Sequence, residues 1–160
     1  MYFRIFPTGR GVLLLILAAA ATAVAFMNSG LITAFTAASL DAIVLSSFIL
    51  VLFSLTGIDL ARSTEDGICG ELLSMTFTLR NKLPLFRQSC VIREDHPFVF
   101  SEKYSFAVPA LAPRETLSFT VQIAAEKRGS FFLDKVCLCT GDPLGLFCRS
   151  KCFRLPEHIE

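Results

Sequence analysis

The chain has 160 residues, 53% of them apolar, a mean hydropathy of +0.59 and a net charge of +1. Its Lys and Arg residues are scattered rather than clustered, which excludes the electrostatic footprint of a nucleic-acid binder. The apolar start takes more than a third of the length and leaves about 100 residues, enough for one small β domain. Cys69, Cys90, Cys137, Cys139, Cys148 and Cys152 all follow that start, so their chemistry depends on the side of the membrane they face.

No charge interrupts Gly11 to Met27. A run of about 17 residues, at ~1.5 Å each, just crosses a hydrocarbon core as a helix. Asn28, Ser29 and Gly30 supply turn chemistry, and a second apolar stretch runs from Leu31 to Ile58 with Asp41 as its one ionisable residue. Mid-bilayer, that carboxylate would cost roughly 2.5–3.5 kcal/mol. The second helix is therefore expected to begin near Leu40, with Asp41 at the interface and Leu31–Ser39 as an interfacial connection or a helical extension. The expected unit is a two-helix transmembrane hairpin over residues 1–62, with spans at about 11–27 and 40–58.

Arg4 and Arg10 precede the first span and Arg62 follows the second, whereas the connection carries no Lys or Arg. The positive-inside rule then puts both chain ends, and the β domain, in the cytoplasm. Arg4 and Arg10 also fit the start of a signal peptide with a small-residue cleavage site at Ala23-Val24-Ala25. The second span and the bulky Phe26-Met27 that would begin the mature chain argue against that alternative.

Ser63-Thr64-Glu65-Asp66-Gly67 reads as a polar junction, with the β domain following over residues 68–160. Leu73, Met75, Phe77 and Leu79 alternate with polar residues, and Leu117, Phe119, Val121, Ile123 and Ala125 repeat the pattern. A shorter version falls on Tyr104, Phe106 and Val108. Period two means strands with one buried face. Turn residues punctuate them at 81–84, 95–97, 109–113, 128–129 and 141–145. Lacking any apolar repeat of helical spacing after Arg62, the segment is expected to be all-β, an Ig-like antiparallel β-sandwich and not a nucleotide-binding sheet.

Three motifs carry a resemblance: Thr8-Gly9-Arg10-Gly11 before the hairpin, Lys127-Arg128-Gly129-Ser130-Phe131 before a strand, and Asp142-Pro143-Leu144-Gly145-Leu146-Phe147 after it. Together they resemble the bacterial domain of unknown function 58 proteins, with Leu144 where the family usually has Phe. The resemblance implies a membrane hairpin, a β-sandwich segment and then a von Willebrand factor A-like region. The present chain covers the first two parts, so it reads as a fragment, a truncated product or an isolated anchor module. Nothing of the A-like region's metal site can be carried over. Partners implied by the resemblance are the lipid bilayer, a MoxR-type AAA+ ATPase and a transglutaminase-like membrane protein; the implied location is the bacterial inner membrane.

Asp142-Pro143-Leu144-Gly145 has the chemistry of a tight turn, and the alternative is a docking loop with Leu146 and Phe147 exposed as an apolar anchor. Arg128 and Gly129 form a structural turn in which Arg128 could pair with Asp142 or a carbonyl. Cys137, Cys139, Cys148 and Cys152 could supply four thiolates to zinc, but strand spacing holds Cys137 and Cys139 about 7 Å apart, and small packing residues are the default reading. Glu94 and Asp95 read as a solvated strand end, and neither His96 nor His158 has a triad setting. Asp41 is weighed as an intramembrane proton or partner site against an interfacial placement. No catalytic residue and no cofactor are expected. The leading expectation is a non-enzymatic, membrane-anchored adaptor. Its rivals are a zinc or thiol protein and an extracytoplasmic, disulfide-bonded domain.

Overall fold

The computed structural model describes residues 2–28, 30–64, 70–94, 96–99 and 104–159, with the backbone alone for Tyr2 and Phe3. Along the chain run β1 (Tyr2–Pro7), α1 (Gly9–Met27), α2 (Leu31–Ser54), β2 (Ile58–Thr64), β3 (Leu72–Asn81), β4 (Cys90–Glu94), β5 (Tyr104–Val108), β6 (Thr116–Ala124), β7 (Phe131–Gly141) and β8 (Phe147–Ile159). The chain divides into two compact units. One comprises residues 4–54 with 140–149; the other comprises residues 1–3, 55–139 and 150–160.

The first unit is the helical one. Thr8 caps α1, its hydroxyl accepting from the Gly11 amide at 3.1 Å, and the Leu- and Ala-rich run that follows favours helix throughout. Its end comes at Asn28, whose amide donates to the Val24 carbonyl. α2 starts at Leu31, nine residues before the start expected near Leu40, and ends at Ser54 rather than at Ile58. The carboxylate does not delay it, because the preceding stretch has no need to leave the helix. Thr33, Thr36 and Ser39 return their hydroxyls to the carbonyls of Gly30, Thr33 and Phe35 at 2.7–2.9 Å. Asp41 lies within the helix and accepts from the Thr22 hydroxyl of α1 at 3.1 Å. With 19 and 24 residues and a mean hydropathy of 2.1 each, both helices are long and apolar enough to cross a membrane.

β2, β3 and β6, all within the second unit, form an antiparallel sheet in the order β2-β3-β6, and a five-stranded sheet has the order β1-β8-β7-β4-β5. Period-two alternation decides which face is dry. Leu73, Met75, Phe77 and Leu79 are buried, whereas on the opposite face Thr76 meets Thr120 and Thr78 meets Ser118, each at 3.0 Å. One hydrophobic cluster draws on both sheets, joining those β3 residues to Cys90 and Ile92 of β4, Val108 of β5 and Val136 and Leu138 of β7. At its centre Phe77 meets Phe119 at 5.8 Å and Phe106 at 6.1 Å.

The three strands expected from alternation are present as β3, β5 and β6. The polar junction is not a linker where it can be described: Ser63 and Thr64 pair with Thr76 and Met75 as the end of β2, and Glu65, Asp66 and Gly67 lie outside the described residues. β2 opens right after a reversal at Gly57, whose φ of +74° suits glycine and where a Cβ would come within 2.6 Å of Leu83.

Phe77 is fully buried. Phe77→Ala is expected to lower the unfolding free energy by about 3–5 kcal/mol, while Thr78→Ala, on the wet face, should change it by under about 1 kcal/mol. Chemical denaturation followed by far-UV circular dichroism in a mild detergent would check the contrast.

Candidate functional site

The helical unit holds the two motifs that lie farthest apart in the sequence, and they meet. Asp142 folds the 142–147 turn around its own carboxylate: Oδ1 accepts from the Phe147 amide at 2.6 Å, and Oδ2 accepts from the Leu144 amide at 3.0 Å. A φ of +68° at Gly145 closes the reversal, and its amide donates to the Asp142 carbonyl at 3.0 Å. Oδ2 also accepts from Ser47 of α2 at 2.9 Å, both residues being buried. Thr8 joins the turn to α1. Its amide donates to the Leu146 carbonyl at 2.8 Å and its hydroxyl to the Gly145 carbonyl at 2.6 Å.

Glycine is required at position 11, because a Cβ there would stand 2.0 Å from the Leu146 carbonyl oxygen. Leu146 and Phe147 then bury themselves with Val51, against Ile5, Leu14 and Val44, and the Phe147 ring meets Phe48 edge-on at 5.5 Å. The alternative of an exposed Leu146–Phe147 docking anchor is therefore corrected: both side chains are at most 7% exposed. What faces solvent in the turn is Pro143 and Leu144. The guanidinium of Arg149 donates to the Leu52 carbonyl in the last turn of α2, bringing a cation to a helix end that has none of its own.

The β unit contains a second polar centre that pattern reading missed. Arg62, expected as a flanking charge, has a fully buried guanidinium that pairs with Glu94 and, at 2.7 Å, with Glu157. It also donates to the Leu155 carbonyl at 2.6 Å. Glu94 is buried and not at a solvated strand end, because β4 points Cys90, Ile92 and Glu94 to the core; Asp95 lies outside the described residues. The buried His96 ring sits with Nε2 4.0 Å from Glu94 and meets Phe98 at a tilt and Tyr104 edge-on. Burial alone would raise the Glu157 carboxyl, but the Thr64 amide, the Arg62 guanidinium and the Thr64 hydroxyl hold it below the usual carboxylate range.

Cys137 and Cys152 form a disulfide, so the four-thiolate zinc site loses two of its ligands. Cys90 is pushed up to about 11 by burial and by Cys139, which keeps it a protonated packing residue at neutral pH. Cys139 meets Ser150 at 3.5 Å, Cys148 is exposed, and Cys69 lies outside the described residues. His158 shares a 2.9 Å hydrogen bond with Ser130 on an exposed surface; among the described residues no carboxylate orients the ring as a triad would need. Arg128 is exposed, next to Gly129 at φ +141°. The chemistry this arrangement provides is fastening: polar groups of the turn are consumed in holding two helices. No family model matches the chain, and no curated protein matches it either.

Two outcomes follow from these contacts. Asp142→Ala leaves two amides and the Ser47 hydroxyl unanswered, and is expected to cost about 3 kcal/mol and to expose the turn to limited proteolysis. For Glu157 the folded pKa lies below the unfolded value of about 4.3, so its stabilisation is complete above that pH and disappears as pH falls through the folded value. The melting-temperature gap between the parent and Glu157→Gln should therefore be constant from pH 6 to 8, equivalent to about 1–2 kcal/mol, and shrink below pH 4.

Proposed function

We propose that this chain is a membrane-anchored, non-enzymatic scaffold module, similar to the anchoring part of domain of unknown function 58 proteins, whose helical pair spans the bacterial inner membrane. One observation carries the anchor: both helices are strongly apolar, yet only 11% and 17% of their most apolar stretches are buried. Leu13, Ile16, Phe35 and Phe53 are each more than 60% exposed. Water would not tolerate such a surface on an isolated pair of helices, and lipid supplies the missing solvent.

On this reading the β unit is an Ig-like sandwich that presents a partner surface, and the turn at Asp142–Phe147 serves rigidity rather than recognition. Support for the scaffold role comes from the use of both Asp142 carboxylate oxygens in internal bonds. A MoxR-type AAA+ ATPase and a transglutaminase-like membrane protein are the partners that the resemblance suggests.

For orientation, Arg4 and Arg10 favour a cytoplasmic β unit, whereas the charge of Arg62 is already matched by Glu94 and Glu157. A second reading reverses the orientation. The Cys137–Cys152 disulfide is what an oxidising, extracytoplasmic compartment would sustain.

Alkaline carbonate extraction and thiol labelling test both readings. The chain is expected to stay in the pellet; release into the supernatant would end the anchor proposal. A membrane-impermeant maleimide should reach the exposed Cys148 only after lysis if the β unit is cytoplasmic. Labelling in intact spheroplasts, with a mobility shift on reduction, would establish the reversed orientation instead.

A further inference from the structure

α1 and α2 do not close on each other along their whole length. Between them runs a groove of about 840 Å³, walled by Leu15, Ala18, Val44 and Phe48, and at its polar point lie Thr22 and Asp41. Asp41 is the eleventh of the 24 residues of α2, about 15 Å from its start at 1.5 Å per residue, and thus near mid-helix. Its side chain is exposed, and among the described residues Thr22 is the one whose side chain bonds it. A carboxylate facing an otherwise apolar groove at that depth calls for a partner group that lipid tails do not have.

We infer that the groove receives a membrane-spanning helix of another protein, one that carries a basic side chain at mid-span to meet Asp41. The inference rests on the membrane reading above. Charge complementarity selects the occupant. A second copy of this chain cannot supply it, because no Lys or Arg occurs between Gly11 and Ala61. Arg10 is twelve residues before Thr22, about 18 Å away along α1. An acyl chain would fill the apolar walls and leave the carboxylate unmatched. Ala19, exposed on α1, keeps one wall low enough for a helix to approach closely.

The test uses the full chain in phosphatidylcholine vesicles with a donor fluorophore on Cys148 and acceptor-labelled synthetic helices. One probe is an all-leucine span; the other has a single central Arg. Energy transfer is expected to show at least tenfold tighter association for the Arg helix, with Asp41→Asn, which keeps the shape and an acceptor for Thr22, reduced to the all-leucine level. Asp41→Leu should behave as Asp41→Asn does. Equal association of the two helices, or an unchanged preference in Asp41→Asn, would overturn the inference, as would transfer between two copies of the chain that displaces the Arg helix. Carbonate release of the chain from these vesicles would overturn the span reading itself, and this inference with it; insertion without an Arg preference overturns this inference alone.

Discussion

Backbone groups that cannot be satisfied within their own element set the architecture of the helical unit. A helix starting at Gly9 leaves amides without partners, and a reversal at Asp142–Phe147 leaves carbonyls pointing outward. Thr8 answers both, accepting from Gly11 while donating to Gly145 and Leu146. Asp142 does the same on the other side, taking two amides of its own turn and the hydroxyl of Ser47. Because each of these groups has its full complement only in the assembled state, the turn and the spacing of the two helices become fixed together.

The β unit is governed by a different cost. Arg62 is withdrawn from water, which is expensive unless the guanidinium is surrounded by acceptors in good geometry. Glu94 of β4, and Glu157 and the Leu155 carbonyl of β8, supply them from two strands. Replacing any one would leave buried charge unmatched, whereas an apolar core of the same volume would carry no such demand. The ion centre therefore restricts how β2, β4 and β8 can be registered, a specificity that apolar packing of the same volume would not impose.

How much of this could be read from residues alone depended on how local the cause was. The strands β3, β5 and β6 announce themselves, since alternation of Leu73 to Leu79 or Leu117 to Ile123 needs no partner to be visible. β7 is bracketed by the motifs at 127–131 and 142–147, whereas β8 and the burial of β4 are hidden because their dry faces include Cys90, Glu94 and Lys151, residues whose burial is licensed only by distant contacts. The two helices were legible from unbroken apolar runs, but the start of α2 was displaced by treating Asp41 as a residue that must sit at an interface. Thr22 lies nineteen positions away, and its hydroxyl donates to that carboxylate. The turn chemistry of residues 142–145 is local, whereas its seat on Thr8 and Gly11 depends on a segment 137 residues away.

That last separation bears on how the molecule comes into being. Translation proceeds from the N-terminus, so α1 and α2 are complete long before residues 142–147 leave the ribosome. During that interval the Thr8 hydroxyl can cap α1, but its second bond, to Gly145, has no acceptor yet, and Ser47 has no carboxylate to bind. The helices are thus delivered first as a loosely joined pair, and the late-synthesised turn acts as a latch that fixes their spacing after the fact. Placement of the pair and its locking are separate events in time, with a window between them in which another helix could enter or leave the space beside Asp41.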